Sequence, residues 1–508
     1  MTAKSFAFVD AIYRPMTGNA GQANPFVQAL PALPNDVDLM MALTHMPPFD
    51  PTERLLSKEY RIQRLEVLAD ILIALPRIVR LARGMLKMMI SGYASRRPHS
   101  AEDGESLNRL YAMQQNSKFA SAAQSTASAQ RTMSLVGASG CGKSFSVEHI
   151  TKLLPPAIYH ESLGKWQLPF LVVEMSYDGE SVHTLATRIY EAIDKLLPDG
   201  NYQALLSARN GRSGRSESNS DQRLANALLI CRALGVGEIV VDESQNKREV
   251  GNGSETLRRH ANVVKETPLT KLMITASNTS KIPLLFTGTL EMKSVFGSRF
   301  TISRRMSGRG SAEWHPYEAP TGDVENPTEF ELLVMAFFRY QWVRNPVPYS
   351  FAWAQLFFEL CQGIPDIFVK LFESSQEMAI SSNKETLTED LVRSVFAKEF
   401  VSTAFGIKAL RSKDRVMLAA ITDLYSAPQR AVESPPRVNG PAGSQPASAT
   451  PPIKAAKAPR AKKICEEPTP AEIDVASAAG ADVRIGEDGA LPVAARPLKL
   501  SELVGGDA

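Results

Sequence analysis

Residues 137–144 read Gly-Ala-Ser-Gly-Cys-Gly-Lys-Ser, a glycine-rich run that ends in lysine and serine. The apolar residues before it, 133–136, predict a buried strand, and the apolar periodicity that begins at Phe145 predicts an amphipathic helix. Glycines between a strand and a helix let successive backbone N–H groups point at phosphate oxygens, close to the positive end of the helix dipole. The run therefore predicts a Walker A loop that binds ATP.

Within this loop, two side chains have chemistry of their own. Lys143 would add a positive charge beside the phosphates, and the hydroxyl of Ser144 would bind Mg²⁺. A glycine-rich turn with an incidental lysine is the alternative, and the strand and helix on either side argue against it. The candidate nucleotide contacts are all eight loop residues: Gly137, Ala138, Ser139, Gly140, Cys141, Gly142, Lys143 and Ser144.

A second motif lies about one hundred residues later. Residues 237–241 lead into Asp242 and Glu243, which predicts a central parallel strand ending in two carboxylates. Asp242 fits a ligand of Mg²⁺, and Glu243 fits a general base that orients and deprotonates water. The alternative is a strand that merely ends in solvated acids. Paired with the Walker A loop, the motif predicts a Walker B site and an Mg²⁺-dependent ATPase.

Length and composition set limits on the protein class. A chain of 508 residues exceeds what one hydrophobic core usually serves, so we expect two or three domains. Hydrophobic residues make up 44% and charged residues 22%, as in globular proteins. A net charge of +3 is too small to indicate a nucleic-acid-binding protein by itself, so any such contact must come from local basic patches.

The cysteines at 141, 231, 361 and 465 show no spacing typical of metal sites or disulfide frameworks. We expect reduced thiols and a cytoplasmic location. The sequence begins without a signal-peptide pattern, and its most apolar segment, residues 65–90, is interrupted by Pro76 and four basic residues. We therefore expect no membrane span.

Composition divides the chain into four parts. Residues 1–100 predict a helical N-terminal appendage, 101–318 a nucleotide-binding core, 319–425 a helical lid, and 426–508 a disordered tail. The predicted fold class is α/β: a P-loop NTPase of the AAA+ type, with a parallel sheet in three α/β/α layers. The predicted strands are 133–136, 170–175, 239–242, 284–287 and 300–306.

Periodicity predicts helices on both sides of the core. In the lid they cover 330–342, 351–362, 366–380 and 391–400, with Thr386 and Glu389 as a capping box before the last. In the appendage, an apolar face consists of Leu72, Leu75, Val79, Ala82, Leu86 and Met89. A second face carries Arg77, Arg80, Arg83 and Lys87, and we interpret it as a solvated helix face rather than a nucleic-acid or partner site.

The chain resembles the TnsC/TniB family of AAA+ regulators of heteromeric DNA transposases, over roughly residues 13–405. Besides the Walker motifs, the resemblance is carried by Asn24-Pro25-Phe26 with Ala29-Leu30-Pro31, Gly92-Tyr93 with Arg96-Arg97-Pro98, PLLFTGT at 283–289, and Gly363-Ile364-Pro365-Asp366 with Lys370-Leu371-Phe372. It implies an ATPase that oligomerises on duplex DNA as a ring or helical filament. It also implies target-site selection, with transposase subunits and a target-selector protein as partners and with hydrolysis controlling assembly and disassembly.

Carried onto this sequence, the resemblance assigns Lys143 and Glu243 to catalysis and Asp242 to magnesium. For sensor 1, which helps place the attacking water beside the γ-phosphate, it offers Thr287 or Thr289 at the end of the fourth predicted strand. Simple capping of the strand end is the alternative role for both threonines.

Two cationic positions complete the implied site. An arginine finger has to reach the γ-phosphate of a neighbouring subunit, where charge accumulates in the transition state, and Arg299 is the first candidate, ahead of Arg304 and Arg305. A surface salt bridge is the alternative for each. At sensor 2, the family pattern has an arginine where this sequence has Asp366, and Lys370, one helical turn later, is the candidate replacement.

The candidate contacts with DNA are the loop at 176–180 and the arginines at 209, 212 and 215. Three other functions stay open. A helicase loader or replication initiator shares the AAA+ core, a small-molecule kinase is disfavoured by Glu243, and a scaffold would bind ATP without turnover. ATP hydrolysis measured with and without duplex DNA separates these functions.

Overall fold

The computed structural model describes residues 8–15, 24–116, 132–175, 182–198, 200–203, 220–242, 280–290, 292, 311–419 and 421. These residues belong to one compact unit, Met1–Ala427. The predicted tail at 426–508 and the predicted strand at 300–306 lie outside the described residues.

The described strands form one sheet: β1 (Phe8–Asp10), β2 (Thr132–Gly137), β3 (Ala157–His160), β4 (Lys165–Glu174), β5 (Val236–Asp242), β6 (Leu284–Gly288) and β7 (Ala312–Trp314). Their order across the sheet is β1-β3-β4-β5-β6-β2-β7. From β4 to β7 all neighbours run parallel. The predicted α/β fold of the AAA+ P-loop type is confirmed.

Four predicted strands correspond to β2, β4, β5 and β6. β7 occupies the place beside β2. Three strands were not predicted: β7 itself, β1, which is parallel to β3, and β3, which runs antiparallel to β4. All three are only three or four residues long, too short for a clear alternation of apolar and polar residues. β3 turns into β4 through Glu161–Leu163 and Gly164, whose φ of 56° lies in the left-handed region that glycine adopts without strain.

Eight helices precede the lid among the described residues: α1 (Pro25–Gln28), α2 (Asp36–Leu43), α3 (Lys58–Arg64), α4 (Pro76–Ala94), α5 (Ala101–Asn116), α6 (Lys143–Thr151), α7 (Val182–Leu196) and α8 (Ser220–Ala233). Helix α4 packs on β5 and α6, whereas α7 packs on β4 and α8. The six residues of the predicted apolar face, 72 to 89, are all buried, which confirms that prediction. Among the described residues, no helix combines the length and the apolar character that crossing a bilayer requires.

The N-terminal region is fastened to the start of β5. The Asn24 amide donates to the carbonyl of Tyr93 at 2.6 Å, and the Tyr93 hydroxyl donates to the carbonyl of Gly235 at 2.8 Å. Arg96 donates to the carbonyl of Val236 at 2.6 Å, with its guanidinium buried. Two segments that carry the family resemblance therefore meet at the strand that ends in Asp242.

The lid region consists of α9 (Glu329–Phe337), α10 (Phe351–Cys361), α11 (Pro365–Ser381), α12 (Glu389–Glu399), α13 (Ala404–Ser412) and α14 (Arg415–Ala419). The four predicted helices correspond to α9–α12. Edge-to-face contacts of phenylalanine rings form the core of this region: Phe330, Phe337, Phe357, Phe368 and Phe372.

The predicted capping box of Thr386 and Glu389 is wrong. The N-cap of α12 is Thr388, whose hydroxyl accepts from the backbone N–H of Leu391 at 3.3 Å. The backbone of Thr388 is extended, as an N-cap requires. The residue three positions later is Leu391, whose side chain cannot accept the second hydrogen bond that a capping box needs.

Residues before α4 also bind the lid region. Arg61 of α3 is fully buried and donates twice to the Glu385 carboxylate, at 2.7 and 2.9 Å, and to the carbonyl of Trp342 at 2.9 Å. Removing one partner of such a buried pair leaves an uncompensated charge, which costs about 3–5 kcal/mol. The segment around α3 is thereby attached to the lid region.

Glu238 lies inside β5 and is fully buried. Among the described residues, neither of its carboxylate oxygens has a hydrogen-bond partner. Burial disfavours the charged form, so the pKa of Glu238 is raised well above its usual 4.5. Folding therefore favours the protonated form of this side chain.

We expect Glu238→Gln to gain stability relative to the parent as the pH rises. A group whose pKa is raised by folding stabilises the fold below its unfolded pKa, and that contribution is lost as the pH rises toward the folded pKa. The free energy of unfolding of the parent should fall relative to that of the variant as the pH rises above the usual pKa of a glutamate carboxyl. Urea denaturation at several pH values measures the difference.

The matched control is Glu161→Gln, which removes an exposed carboxyl from the turn between β3 and β4. If the stability gap between Glu238→Gln and the parent were the same at every pH, Glu238 would be ionising normally in the folded protein.

Candidate nucleotide-binding site

The loop between β2 and α6 has the geometry that the sequence predicts for a phosphate-binding loop. Gly140 and Gly142 have φ angles of 77° and 80°, in the left-handed region that favours glycine, and Gly142 is the N-cap of α6. The side chain of Lys143 is buried and donates to the carbonyls of Gly137 and Ala138 at 3.0 and 2.9 Å. The ammonium group thus lies at the start of the loop, while Ser144 is exposed in the first turn of α6.

The two other predicted polar residues meet at the ends of adjacent strands. β6 lies between β2 and β5, so its end separates the loop from Asp242. The Thr287 hydroxyl, fully buried in β6, donates to the Asp242 carboxylate. Thr289 lies two residues further, where it lines the cleft itself. Thr287 is therefore hydrogen-bonded to Asp242, whereas Thr289 lies closer to the cleft.

A cleft of about 500 Å³ opens above these residues. Its polar side includes residues 139–144, Asp242 and Thr289. Its apolar side is lined by Leu68, Ala69, Ile71, Leu72, Ile73, Ile78, Leu333 and Phe337. A nucleotide has the same division, with charged phosphates at one end and an aromatic base at the other, and the cleft volume lies within the range of small-molecule sites.

The start of α11 closes the cleft over the loop. The backbone N–H of Asp366 donates to the carbonyl of Gly140 at 3.2 Å. A Cβ at Gly140 would lie 2.8 Å from Cγ2 of Ile364, and a Cβ at Gly363 would lie 2.2 Å from the carbonyl oxygen of Tyr317. Gly140 therefore allows the lid region to approach the loop directly, and Gly363 allows it to approach Tyr317, which gives the Gly363–Asp366 segment a physical role.

At sensor 2, Asp366 and Lys370 both line the cleft, and the Lys370 ammonium donates to the Asp366 carboxylate at 2.8 Å. The Lys370 side chain is 61% exposed. Exposed pairs of this kind contribute about 0–1 kcal/mol, so Lys370 can exchange Asp366 for a phosphate at small cost. Its role at sensor 2 stays a prediction.

The loop thiol, Cys141, is not set up as a reactive group. Burial raises its pKa, against the opposing effect of the Arg77 and Lys143 charges. Among the described residues, Cys141, Cys231 and Cys361 are free and buried.

Several predicted site residues lie outside the described residues: Glu243, Arg299, Arg304, Arg305, the loop at 176–180 and the arginines at 209, 212 and 215. Their roles stay predictions. In contrast, sequence reasoning missed Arg77 and Tyr317, which both line the cleft. A signal for Arg77 exists, because a cation in the first turn of a helix opposes the helix dipole and requires compensation elsewhere.

The sheet and the loop have the AAA+ P-loop fold. Residues 126–296 match the family described as AAA domain. A search of curated protein sequences gave no significant match.

A comparison with solved structures found 37 chains with significant similarity to this one. Cdc6p from Pyrobaculum aerophilum is 14% identical, with 57% of this chain and 64% of that chain covered and a TM-score of 0.30. This chain thus spans 64% of the Cdc6p chain that it matches. A structure of Drosophila ORC bound to DNA is 14% identical, with 65% and 69% covered and a TM-score of 0.29.

We expect Thr287→Val to lower kcat for ATP hydrolysis about tenfold, because the Asp242 carboxylate loses a hydrogen bond whose contribution to a charged group is about 1.5–3 kcal/mol. Thr287→Ser keeps the hydroxyl and should stay near the parental rate. Phosphate release under saturating ATP measures the effect. A valine variant with the parental kcat would show that Thr287 does not orient Asp242 for catalysis.

Proposed function

We propose that this protein is a DNA-binding AAA+ ATPase that regulates transposition: it oligomerises on duplex DNA, selects or marks a target site, and recruits or activates a transposase. ATP hydrolysis would control assembly and disassembly. The observation that carries the proposal is the convergence of the Lys143 loop and the Asp242–Thr287 pair on one cleft.

Each polar residue has a task in this proposal. The loop amides and Lys143 bind the phosphates, and Lys143 exchanges its carbonyl partners for phosphate oxygens. Ser144 and Asp242 would hold Mg²⁺, since a hydroxyl and a carboxylate are the hard oxygen ligands that this ion prefers. Bound Mg²⁺ and ATP supply a γ-phosphoryl group whose negative charge is partly neutralised. Glu243 would orient and deprotonate the attacking water.

The finer assignment to transposition rests on the resemblance, and the contacts of its segments support it. Asn24 donates to the carbonyl of Tyr93 in α4, and Arg96 donates to the carbonyl of Val236 at the start of β5. The Gly363–Asp366 segment contacts the loop at Gly140. The Gly363–Asp366 segment thus lies at the nucleotide cleft, where it can couple ATP to assembly, whereas Asn24 and Arg96 act at the opposite end of β5 from Asp242.

Duplex DNA and further copies of the chain are the partners in this proposal. Contacts with phosphates would make DNA binding sensitive to salt and weakly dependent on sequence. Arg299 of one subunit would reach the cleft of its neighbour and stabilise charge in the transition state, which makes hydrolysis depend on oligomerisation. Transposase subunits and a target selector would read the assembled state.

We expect Lys143→Ala to weaken ATP binding about 100-fold, because up to about 3 kcal/mol of charge-assisted hydrogen bonding to phosphate is lost. Isothermal titration calorimetry in magnesium buffer measures the affinity. Lys152→Ala, which removes an exposed lysine just beyond the same helix, is the control and should bind ATP normally. Equal affinity of Lys143→Ala and the control would contradict the assignment of the loop.

We expect Glu243→Gln to bind ATP but to hydrolyse it about 10²–10⁴ times more slowly, since the general base is lost. The variant should accumulate as an oligomer on duplex DNA. Phosphate release and electron microscopy with duplex DNA measure the two effects, with the parent as the reference. Parental hydrolysis would refute Glu243 as the base, and isolated monomers on DNA in the presence of ATP would refute assembly.

A further inference from the structure

Arg77 is an arginine of the N-terminal region that reaches the nucleotide cleft. It is the second residue of α4, directly after Pro76. A positive charge there is repelled by the helix dipole, and α4 has no side-chain cap from its own N-cap residue, Leu75. The contacts of the Arg77 side chain compensate for this unfavourable position in the first turn.

The guanidinium group holds the loop and the chain after β7 at the same time. Its Nη2 donates to the carbonyl of Cys141 at 3.2 Å, and its Nη1 donates to the carbonyl of His315 at 3.1 Å. It lies over the ring of Tyr317, 3.7 Å from the centroid, and 4.8 Å from the ring centroid of Trp314. Such a planar arrangement, with two donors and two aromatic faces, is one that lysine cannot reproduce.

The lid region joins the same group through Tyr317, whose backbone N–H donates to the carbonyl of Gly363 at 2.8 Å. Burial raises the pKa of Glu329 in α9, and the Arg77 charge opposes that rise. Burial also raises the pKa of Tyr317 to about 12, so its ring stays neutral beneath the guanidinium. Arg77 thus links α4, the phosphate loop and the segment after β7, and through Tyr317 it reaches the lid region.

The bond to Cys141 acts on the loop through the rigidity of the peptide unit. A trans peptide is planar, so the Cys141 carbonyl and the Gly142 N–H point in opposite directions. An arginine that holds the carbonyl therefore fixes the direction of the Gly142 N–H, on the side away from Arg77. Gly142, with its φ of 80°, has no Cβ to restrict this peptide by itself.

We propose that Arg77 is a positioning residue for the nucleotide: it fixes the Cys141–Gly142 peptide of the phosphate loop and links that loop to the lid region through Tyr317. This inference rests on the proposed ATP hydrolysis at the same cleft. Since the loop amides contact phosphate in both the ground state and the transition state, loss of Arg77 acts mainly on KM.

Steady-state ATP hydrolysis by the full chain tests the inference. Arg77→Ala should raise KM for ATP about tenfold, with kcat changed by less than about threefold. Arg77→Lys keeps the charge but lacks the planar fork, so its KM should stay closer to the alanine variant than to the parent. Lys87→Ala, an exposed cation on the same helix, is the matched control with parental KM.

Fluorescence of Trp314 supplies a second readout. Because Arg77 contacts both Cys141 and the Trp314 ring, ATP binding should change the emission of this tryptophan, and the change should be absent in Trp314→Phe. At saturating ATP, Arg77→Ala should lack it as well. Thermal unfolding of each variant is recorded alongside, and Arg77→Lys serves as the test variant if Arg77→Ala does not fold.

The outcomes separate the two proposals. A parent that neither binds nor hydrolyses ATP refutes the proposed function. A parent that hydrolyses ATP, together with an Arg77→Ala variant of parental KM and parental Trp314 response, refutes the role of Arg77 alone. Parental KM in Arg77→Lys would likewise overturn it, since charge without the planar fork would then be sufficient.

Discussion

The position of β6 between β2 and β5 is the constraint on which the rest of the site depends. Parallel strands bring their carboxyl ends to one edge, and this order sets the phosphate loop on one side of Thr287 and Asp242 on the other. The hydrogen bond from Thr287 to Asp242 joins these strand ends directly. Ser144 and Asp242, the candidate ligands of Mg²⁺, follow β2 and end β5, and the separation of these two strands is set by β6 between them.

The N-terminal region contacts both the sheet and the lid region. Tyr93 and Arg96 hold the start of β5, whereas Arg61 binds Glu385 beyond the cleft. Arg77 lies between these two attachments, with a hydrogen bond to the loop. A change in the loop on nucleotide binding is therefore transmitted to the N-terminal region by direct contacts, which is the kind of physical connection that coupling between sites requires.

The sequence predicted those features of the fold and the site that depend on residues close together along the chain. The loop at 137–144 and the strand ending in Asp242 follow from local apolar patterns, and the fold class follows from their order. The short strands β1 and β3 carry too little pattern, and the capping-box prediction failed because the true N-cap, Thr388, lies two residues later. A cation in the first turn of α4 is a local sign that Arg77 is unusual, but its partners Cys141 and His315 are 64 and 238 residues away, so no local pattern could identify them. Glu243, Arg299 and the domain boundaries at 100, 318 and 425 stay predictions.

The buried pair of Arg61 and Glu385 joins residues that are 324 positions apart in the chain. Removing either residue leaves the charge of the other buried without its partner. A shortened gene product that begins after α3, or a fragment made of the C-terminal helices alone, would inherit half of this pair. The segment around α3 is consequently part of the same folding unit as the lid region.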